Sequence, residues 1–216
     1  MLISYLSIDV QITNANFEAL KRLIPGSFIT KNDRFHKFQD RQRNLFGLLL
    51  LMRSWHNLFD ESLNLENIET SKFNRPYLPD SNTDFNISHS GDFVVCVLSA
   101  DSRVGIDIEQ KKKVDLNDFA RTMNSDQWTE IHTSNNPLDT FFKYWSMKES
   151  VIKADGRGLS IPLTEIILDQ DRVSYDGNLW HLYPFKIDAN HNGCVASNNE
   201  INDLQLVKVH WKEFLK

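Results

Sequence analysis

Two short acidic motifs have the residue types and the spacing that a binding site for a metal-bound diphosphate requires. Asp107 and Glu109 are separated by one isoleucine, so on a strand both side chains lie on the same face of the sheet. Glu149 and Lys153 are four residues apart, so on a helix they share a face, and Trp145 lies on that face too. Three carboxylates could bind magnesium, and the ammonium could neutralise the remaining phosphate charge.

Simpler interpretations of both motifs stay open when the residues are considered alone. Asp107 and Glu109 could be two exposed acids on an edge strand, because acidic side chains usually face solvent. Glu149 and Lys153 could form a helix-surface ion pair, which contributes only about 0.3–0.5 kcal/mol. The position of Trp145 on the same helix face argues against full exposure of that pair.

The composition predicts a folded protein of the cytoplasm. The 216 residues can form one domain or two small ones, and a hydrophobic share of 41% makes disorder unexpected. A net charge of −5 argues against general binding to nucleic acid or membrane surfaces. The chain starts without a signal-peptide pattern, and the apolar stretch at 45–52 is too short to span a bilayer. Cys96 lies in a strand-like apolar run and is predicted to be a buried free thiol.

The hydrophobic pattern predicts an α+β fold. Apolar side chains recur at spacings of three, four or seven between Phe35 and Phe59, which predicts a long amphipathic helix. A second long helix is predicted over 138–155, ending at Gly156. Shorter helices are predicted over 16–24, 116–123 and 125–132, and an extended loop over 72–82. Strands are predicted over 2–10, 85–88, 93–99, 103–109, 165–168, 172–175, 179–183, 194–197 and 204–209.

The order of these elements predicts two halves of similar plan. Strand, helices and strands are followed again by helices and strands, which divides the chain into residues 1–102 and 103–216. Two similar halves within one chain suggest a monomer with the site between them.

Three motifs in order give the sequence a family resemblance. Residues 85–90 read Phe-Asn-Ile-Ser-His-Ser, residues 104–109 read Val-Gly-Ile-Asp-Ile-Glu, and residues 145–153 begin Trp-Ser-Met-Lys-Glu-Ser and end in lysine. The chain resembles the 4′-phosphopantetheinyl transferases of the surfactin-synthetase-activating type, and the loop 75–79 and the turn 156–159 fit as well. The resemblance implies an α+β fold with two structurally similar halves related by a pseudo-twofold axis. It also implies that residues 1–102 make the nucleotide contacts, and that residues 103–216 carry the metal-binding carboxylates and dock a protein partner.

The resemblance also implies a reaction. A member of this family transfers the 4′-phosphopantetheine arm of coenzyme A to a serine of an apo acyl carrier or peptidyl carrier protein and releases adenosine 3′,5′-bisphosphate. Magnesium is the implied metal, with manganese as a possible substitute. By resemblance, Asp107, Glu109 and Glu149 would bind the metal. Glu149, Lys153 and His89 would be the catalytic residues.

Further residues would contact coenzyme A by the same resemblance. Ser88 and His89 would lie at a phosphate, and a histidine held there would tend to be protonated. The other implied contacts, besides Lys153, are Lys31, Arg43, Arg75 and Lys148. A solvated basic helix face remains the simpler explanation of Lys31 and Arg43.

Two positions depart from the family pattern. Phe28 stands where some members have a basic residue, so one contact to the 3′-phosphate is expected to be missing. Gln127 stands where the family often has glutamate, which transfers any proton-accepting role to Glu149 or to a metal-bound water. These departures give slight support to a degenerate module that binds coenzyme A without transferring it.

The basic run 111–113 follows Glu109 directly and precedes several apolar residues up to Met123. It could be a solvated turn, or it could dock an acidic carrier protein. A different class of enzyme also remains possible: a magnesium-dependent hydrolase of a nucleotide diphosphate would use the same carboxylates without a protein acceptor. Consumption of coenzyme A with and without an apo carrier distinguishes the two.

Overall fold

The structure is a computed structural model that describes residues 1–8 and 12–215, apart from the side chain of residue 159. Within these residues the α-helices are α1 (Asn14–Lys21), α2 (Gly26–Asn32), α3 (Phe38–Phe59), α4 (Ser125–Thr133) and α5 (Pro137–Asp155). The strands are β1 (Leu2–Ser7), β2 (Glu69–Thr70), β3 (Pro76–Tyr77), β4 (Asp84–Ser90), β5 (Phe93–Ser99), β6 (Val104–Gln110), β7 (Leu168–Asp169), β8 (Arg172–Tyr175), β9 (Asn178–Phe185), β10 (His191–Ser197) and β11 (Gln205–Lys208). Short 3-10 helices lie at Leu65–Asn67, Leu116–Phe119, Gly158–Ser160, Leu163–Glu165 and Trp211–Leu215.

The first half of the chain is a four-stranded sheet on which the long helix α3 packs. Its strand order is β11-β1-β5-β4, with β5 antiparallel to both of its neighbours and β11 parallel to β1. Leu45 and Leu49 of α3 share one apolar core with Phe85 and Leu98 of the sheet. Burial of each such side chain contributes about 1.5–3 kcal/mol, so this apolar face holds the helix on the sheet.

The second half repeats this plan with a five-stranded sheet and helix α5. The strand order is β6-β10-β9-β8-β7, and all of its neighbours are antiparallel. Helix α5 begins after Asn136, whose side chain accepts a hydrogen bond from the Asp139 backbone N–H. It ends at Gly156, where φ is 87° and glycine is favoured because it has no Cβ. The fold class predicted from the sequence, α+β with two similar halves, is confirmed.

The two halves meet along β4 and β6, which are not joined by a backbone ladder in the described residues. Every second residue of β4 points across the junction, as the alternation of a strand requires. The side chains of these residues accept hydrogen bonds from backbone N–H groups of β6: Asp84 from Val104 at 2.8 Å, Asn86 from Ile106 at 3.0 Å and Ser90 from Gln110 at 3.0 Å. This row of polar side chains fixes the register between the halves.

Most elements predicted from the sequence are present with shifted ends. The two long helices are confirmed at Phe38–Phe59 and Pro137–Asp155, and the helix predicted over 125–132 is Ser125–Thr133. The first strand ends at Ser7, and position 10 of the predicted strand lies outside the described residues. Both cysteines are buried and free, as predicted for Cys96. Helix α2 and the small strands β2 and β3 were not predicted.

Two predictions about elements are wrong. Only Leu168 of the segment 165–168 lies in a strand, because a 3-10 helix at Leu163–Glu165 precedes the two-residue strand β7. The helix predicted over 116–123 is a single 3-10 turn at Leu116–Phe119. The last strand pairs with β1 in the sheet of the first half, and no local pattern indicates which edge it joins. The division at residues 102 and 103 therefore stays a prediction.

None of the described helices combines the length and the apolar character that crossing a bilayer requires.

Candidate active site

Asp107 lies at the centre of a buried cluster that joins the two halves of the chain. Its Oδ1 accepts hydrogen bonds from Lys153 Nζ at 2.6 Å and from Ser88 Oγ at 3.1 Å, while Ser88 Oγ also accepts from Lys153 Nζ at 2.8 Å. Asp107 is 3% exposed, whereas the Lys153 side chain is 29% exposed. The cluster therefore joins a carboxylate of β6, an ammonium of α5 and a hydroxyl of β4, and it is partly accessible to solvent on the side of the ammonium.

The three predicted metal ligands are electrostatically coupled. Burial raises the pKa of Asp107 above its usual range, although Lys153 opposes the shift. Burial, and then the nearby charge of Asp107, raise the pKa of Glu109 to about 7 and also raise the pKa of Glu149. Ser90 Oγ donates a hydrogen bond of 3.0 Å to Glu109 Oε2, which partly stabilises the charged form. Because the charge of Asp107 raises the pKa values of both glutamates, the three carboxyl groups lie in one electrostatic environment.

The cluster has the donor set for a hard divalent cation. Asp107 Oδ2 is buried and has no hydrogen-bond partner in the described part of the chain, so one oxygen remains available to a ligand. A cation placed among Asp107, Glu109 and Glu149 would offset the cost of burying their charges and the repulsion that Asp107 exerts on Glu109 and Glu149. The described residues hold no preformed group of three acidic, histidine or cysteine side chains that would cage a metal ion. Magnesium ordinarily completes its shell with water and phosphate oxygens, which fits such an open donor set.

Gly105 allows β6 to approach α5 closely enough to form the cluster. A Cβ at Gly105 would collide with the backbone carbonyl oxygen of Ser150 and the backbone nitrogen of Ala154. Backbone cannot move aside as a flexible side chain can, so only glycine fits here. The close approach lets Asp107 on the strand reach Lys153 on the helix.

A cavity of about 510 Å³ lies beside the cluster, on the side of the first half. We call it the Phe28 cavity. The residues that line it are Phe28, Lys31, Phe35, Asp40, Arg43, Asn44, Gly47, Leu48, Ile68, Thr70, Pro76, Phe85, Ile87 and His89. Its wall is mostly apolar and aromatic, with a few charged groups, which is typical of a site for an organic ligand.

The alternation of β4 connects the Phe28 cavity to the acidic cluster. Phe85, Ile87 and His89 line the cavity, while Ser88 and Ser90 point to the carboxylates of β6. Burial is the largest cause of the lowered pKa of His89, and the positive charges of Arg43 and Lys153 lower it further. Two cations close enough to lower the pKa of an imidazole would also attract an anion to the same place.

A smaller cavity of about 240 Å³ also borders the cluster, and Glu149, Lys153, Asn86 and Pro76 line part of it. Pro76 borders both cavities. A ligand that extends from the Phe28 cavity past Pro76 therefore reaches Lys153 and Glu149. Of the residues predicted from the sequence, this region contains Lys31, Arg43, Arg75, Ser88, His89, Asp107, Glu109, Glu149 and Lys153.

The charged ends of Arg75 and Lys148 are held by groups of the protein itself, and the predicted contact of both charges with coenzyme A stays a prediction. The Arg75 guanidinium forms a buried ion pair with Asp84, with hydrogen bonds of 3.0 and 2.6 Å. Lys148 is fully buried, and its ammonium donates to the carbonyl oxygens of Thr122 at 3.0 Å and Leu163 at 2.8 Å. Burial lowers the pKa of Lys148 to about 8.

Gln127 has a local structural role. It is the third residue of α4, where its side-chain oxygen accepts a hydrogen bond from the Asn124 N–H at 3.1 Å and its own N–H donates to the Asn124 side chain at 2.9 Å. This reciprocal arrangement is a capping box, which glutamine and glutamate can both form. Trp145 packs against Phe119 and Phe141 with ring centroids 5.3 and 5.7 Å away, as expected for packing.

Sequence reasoning missed four residues that build the site: Asp84, Asn86, Ser90 and Gly105. The first three lie in the alternating row of β4, so the period of two through Ser88 could have indicated them. Gly105 precedes the acidic pair by two residues, and only its contact with α5 explains it.

Two family models together match most of the chain. Residues 11–101 match the N-terminal model of the 4′-phosphopantetheinyl transferases. Residues 103–194 match the model of the 4′-phosphopantetheinyl transferase superfamily. The 4′-phosphopantetheinyl transferase psf-1 of Bacillus pumilus is 32% identical over 175 residues, which cover 79% of this chain and 72% of that protein. The chain belongs to the 4′-phosphopantetheinyl transferase superfamily.

Other relatives of this transferase agree with that membership. The 4′-phosphopantetheinyl transferase Sfp of Bacillus subtilis strain 168 is 29% identical over 172 residues, covering 78% of this chain and 73% of that protein. The 4′-phosphopantetheinyl transferase ffp of Bacillus subtilis is 28% identical over 200 residues, covering 90% of this chain and 85% of that protein. The enzyme class predicted from the sequence is therefore confirmed.

Proposed function

We propose that this transferase moves the 4′-phosphopantetheine arm of coenzyme A to a serine of an apo acyl carrier or peptidyl carrier protein, as a magnesium-dependent monomer. The observation that carries the proposal is the Asp107–Lys153–Ser88 cluster beside the Phe28 cavity. Charge-neutralising groups for a diphosphate and a cavity for a nucleotide then lie within one chain. The leaving group is adenosine 3′,5′-bisphosphate.

The donor would lie with its nucleotide in the Phe28 cavity and its diphosphate towards the acidic cluster. Lys31 and Arg43 would serve the nucleotide end, and His89 with Ser88 would lie at a phosphate. Lys153 would neutralise the diphosphate, because its ammonium is partly exposed and borders the smaller cavity. Such positioning supplies much of the catalysis in phosphoryl-type transfer.

Asp107, Glu109 and Glu149 would hold magnesium. When bound, the ion would neutralise the diphosphate and stabilise the charge that develops on the leaving group. The carboxylates would in turn fix the orientation of the diphosphate relative to the incoming serine.

The serine hydroxyl would attack the β-phosphorus, forming a serine–phosphate bond while the bond to the nucleotide breaks. Glu149 is the best candidate to accept the hydroxyl proton, directly or through a water, because it borders the smaller cavity and its pKa is raised. Gln127 cannot accept a proton as a carboxylate would, and it is occupied with the helix cap.

The test of the proposal is a mass measurement on apo carrier proteins. Incubation with coenzyme A and magnesium should increase the mass of an apo acyl or peptidyl carrier by one phosphopantetheine group, and the carrier's serine-to-alanine variant should stay unmodified. Consumption of coenzyme A at the same rate without any carrier would instead favour a hydrolase. Binding of coenzyme A with no transfer to any carrier would favour a degenerate module.

We further propose that the basic run 111–113 docks the carrier, with Lys112 and Lys113 providing its positive charge. Lys111 is already paired with Asp139 at 2.8 Å, whereas Lys112 and Lys113 are exposed. The aromatic group of Phe119, Trp128 and Trp145 lies beyond this run along the chain and could contact an apolar patch of the carrier.

The double variant Lys112→Glu/Lys113→Glu is expected to raise the KM for the carrier about tenfold and to leave the KM for coenzyme A nearly unchanged. Two reversed charges weaken the attraction to an acidic partner, mostly through a slower encounter. Steady-state kinetics at low and high salt measure the effect, which should shrink at high salt. Lys208→Glu, an exposed lysine in β11, is the matched control. A carrier KM that stays at the wild-type value would exclude this docking surface.

The pH dependence of stability tests the acidic cluster without reference to activity. The pKa of Glu109 is raised from 4.5 to about 7 in the folded protein. Between these values the folded protein keeps a proton that the unfolded chain has lost, so the free energy of unfolding falls as the pH rises. The penalty is absent below about 4.5 and complete above about 7, and it amounts to at most about 3 kcal/mol.

Glu109→Gln should therefore flatten this part of the pH profile, measured by urea unfolding between pH 5 and 7.5 in the presence of a chelator. Magnesium should stabilise the wild-type protein more at pH 8 than at pH 5.5, because the ion binds deprotonated carboxylates. Parallel pH profiles for the wild type and Glu109→Gln, with no effect of magnesium at either pH, would contradict the site.

A further inference from the structure

The positive charge of Arg43 in the Phe28 cavity is compensated by the protein itself. Asp40 also lines this cavity, and its Oδ1 accepts a hydrogen bond from Arg43 Nη1 at 3.2 Å. Arg43 Nη2 donates to the carbonyl oxygen of Gly91 at 2.8 Å. The Asp40 side chain is 40% exposed and that of Arg43 is 19% exposed, so the anion is the more accessible member of the pair.

The other polar groups of the cavity add little charge. The ammonium of Lys31 lies over the ring of Phe28, 5.2 Å from its centroid. The lowered pKa of His89 favours the neutral imidazole. The lining then carries two cations, Lys31 and Arg43, and one carboxylate, Asp40. The resulting net positive charge is low for a site that must hold a doubly charged phosphate.

The walls of the cavity are suited to a flat ring. Phe28, Phe35, Phe85 and Ile87 supply aromatic and apolar surface, and Phe35 is 41% exposed. Stacking of a base on an aromatic side chain contributes about 1–3 kcal/mol and does not depend on phosphate groups. Binding at this end therefore depends more on the base than on charge.

We propose that Asp40 is a specificity-determining residue of the donor site and that the enzyme accepts 3′-dephospho-coenzyme A alongside coenzyme A. This inference rests on the proposed function. A ribose 3′-phosphate beside Arg43 would have to displace Asp40 or remain next to its negative charge, so the phosphate gains little. The dephospho donor neither gains nor loses this interaction. Transfer from it forms the same serine–phosphate bond and releases adenosine 5′-monophosphate.

The experiment compares the two donors with one apo carrier in the wild type and in Asp40→Asn, which keeps the shape and removes the charge. In the wild type, kcat/KM should favour coenzyme A by less than about tenfold. Asp40→Asn should increase this preference about three- to tenfold by lowering the KM for coenzyme A alone. Calorimetric Kd values for both donors without a carrier should show the same change.

Asp33→Asn is the matched control, because Asp33 pairs with Lys21 at 2.8 Å and does not line the cavity. It should leave the preference at the wild-type value. A wild-type preference above about tenfold, an Asp40→Asn variant that changes both donors equally or neither, or the same change in Asp33→Asn overturns the inference while leaving the proposed function intact. If coenzyme A modifies no apo carrier, the proposed function fails and this inference fails with it.

Discussion

Asp107→Asn is expected to lower the rate of transfer from coenzyme A to an apo carrier by at least about 10²-fold, the usual effect of removing one preorganised charge-stabilising group. Asparagine keeps the shape of the side chain and one oxygen, but it removes the charge that would bind magnesium and that Lys153 contacts at 2.6 Å. Glu149→Ala and Asp107→Ala should have effects of the same size. The measurement is the initial rate of carrier modification, followed by mass spectrometry.

Folding should persist in these variants. The pKa of Asp107 is raised mainly by burial, so its charge destabilises the folded protein and asparagine should not lower the free energy of unfolding. Lys153 tolerates the loss of its partner because its side chain is 29% exposed. Glu61→Gln, at an exposed acid two residues after α3, is the control for loss of one charge. Transfer at near-normal rates by Asp107→Ala and Glu149→Ala would exclude the mechanism.

Asp84→Ala is expected to cost about 3–5 kcal/mol of unfolding free energy, because it leaves the buried Arg75 charge without its partner. Both side chains are almost inaccessible, at 7% and 12% exposure. Asp84 also accepts a hydrogen bond of 2.8 Å from the Val104 N–H, and Arg75 donates to the carbonyl oxygens of Val104 and Lys153 at 2.9 and 3.0 Å. The pair therefore joins the loop before β3, strands β4 and β6, and the end of α5.

Urea unfolding measures this loss, with two comparisons. Arg172→Ala removes an exposed ion pair with Glu200, whose side chains are 51% and 66% exposed, and should cost less than about 1 kcal/mol. The double variant Arg75→Met/Asp84→Leu should be more stable than Asp84→Ala alone, because no unpaired charge remains. A loss below about 1 kcal/mol for Asp84→Ala would show that the pair does not hold the two halves together.

Local patterns predicted the parts of this protein whose geometry is set by neighbours in the chain. The period of two places Asp107 and Glu109 on one face of β6, and a spacing of four places Glu149 and Lys153 on one face of α5. The apolar spacing of α3 and the glycine after α5 were likewise sufficient to predict these helices. The strand prediction for 165–168 was wrong because these residues begin in a 3-10 turn. A 3-10 turn has three residues per turn, so the alternation expected of a strand does not apply to it.

The fate of individual charges was less predictable. Arg75 and Lys148 are basic residues within or near the family motifs, and they were predicted to contact the donor. The Arg75 guanidinium pairs with Asp84 and also donates to the carbonyl oxygens of Val104 and Lys153. The Lys148 ammonium donates to the carbonyl oxygens of Thr122 and Leu163. The nearest of these partners, Asp84, is nine residues from Arg75 in the chain. Burial makes such partners obligatory, because an unpaired charge in the interior is costly.

The sequence by itself determined the α+β class, the two long helices, the acidic motifs and, through the order of those motifs, the transferase family. The tertiary structure alone decided that the polar row of β4 ties the halves together and that Gly105 brings β6 against α5. It also decided that Asp40 shares the Phe28 cavity with Arg43. The physical reason is the distance along the chain over which each feature is set. Periodicity among neighbouring residues predicts which face of an element a side chain occupies. The partner of a charged group and the site of a close backbone contact depend on residues that are far away in the sequence and come near only in the folded chain.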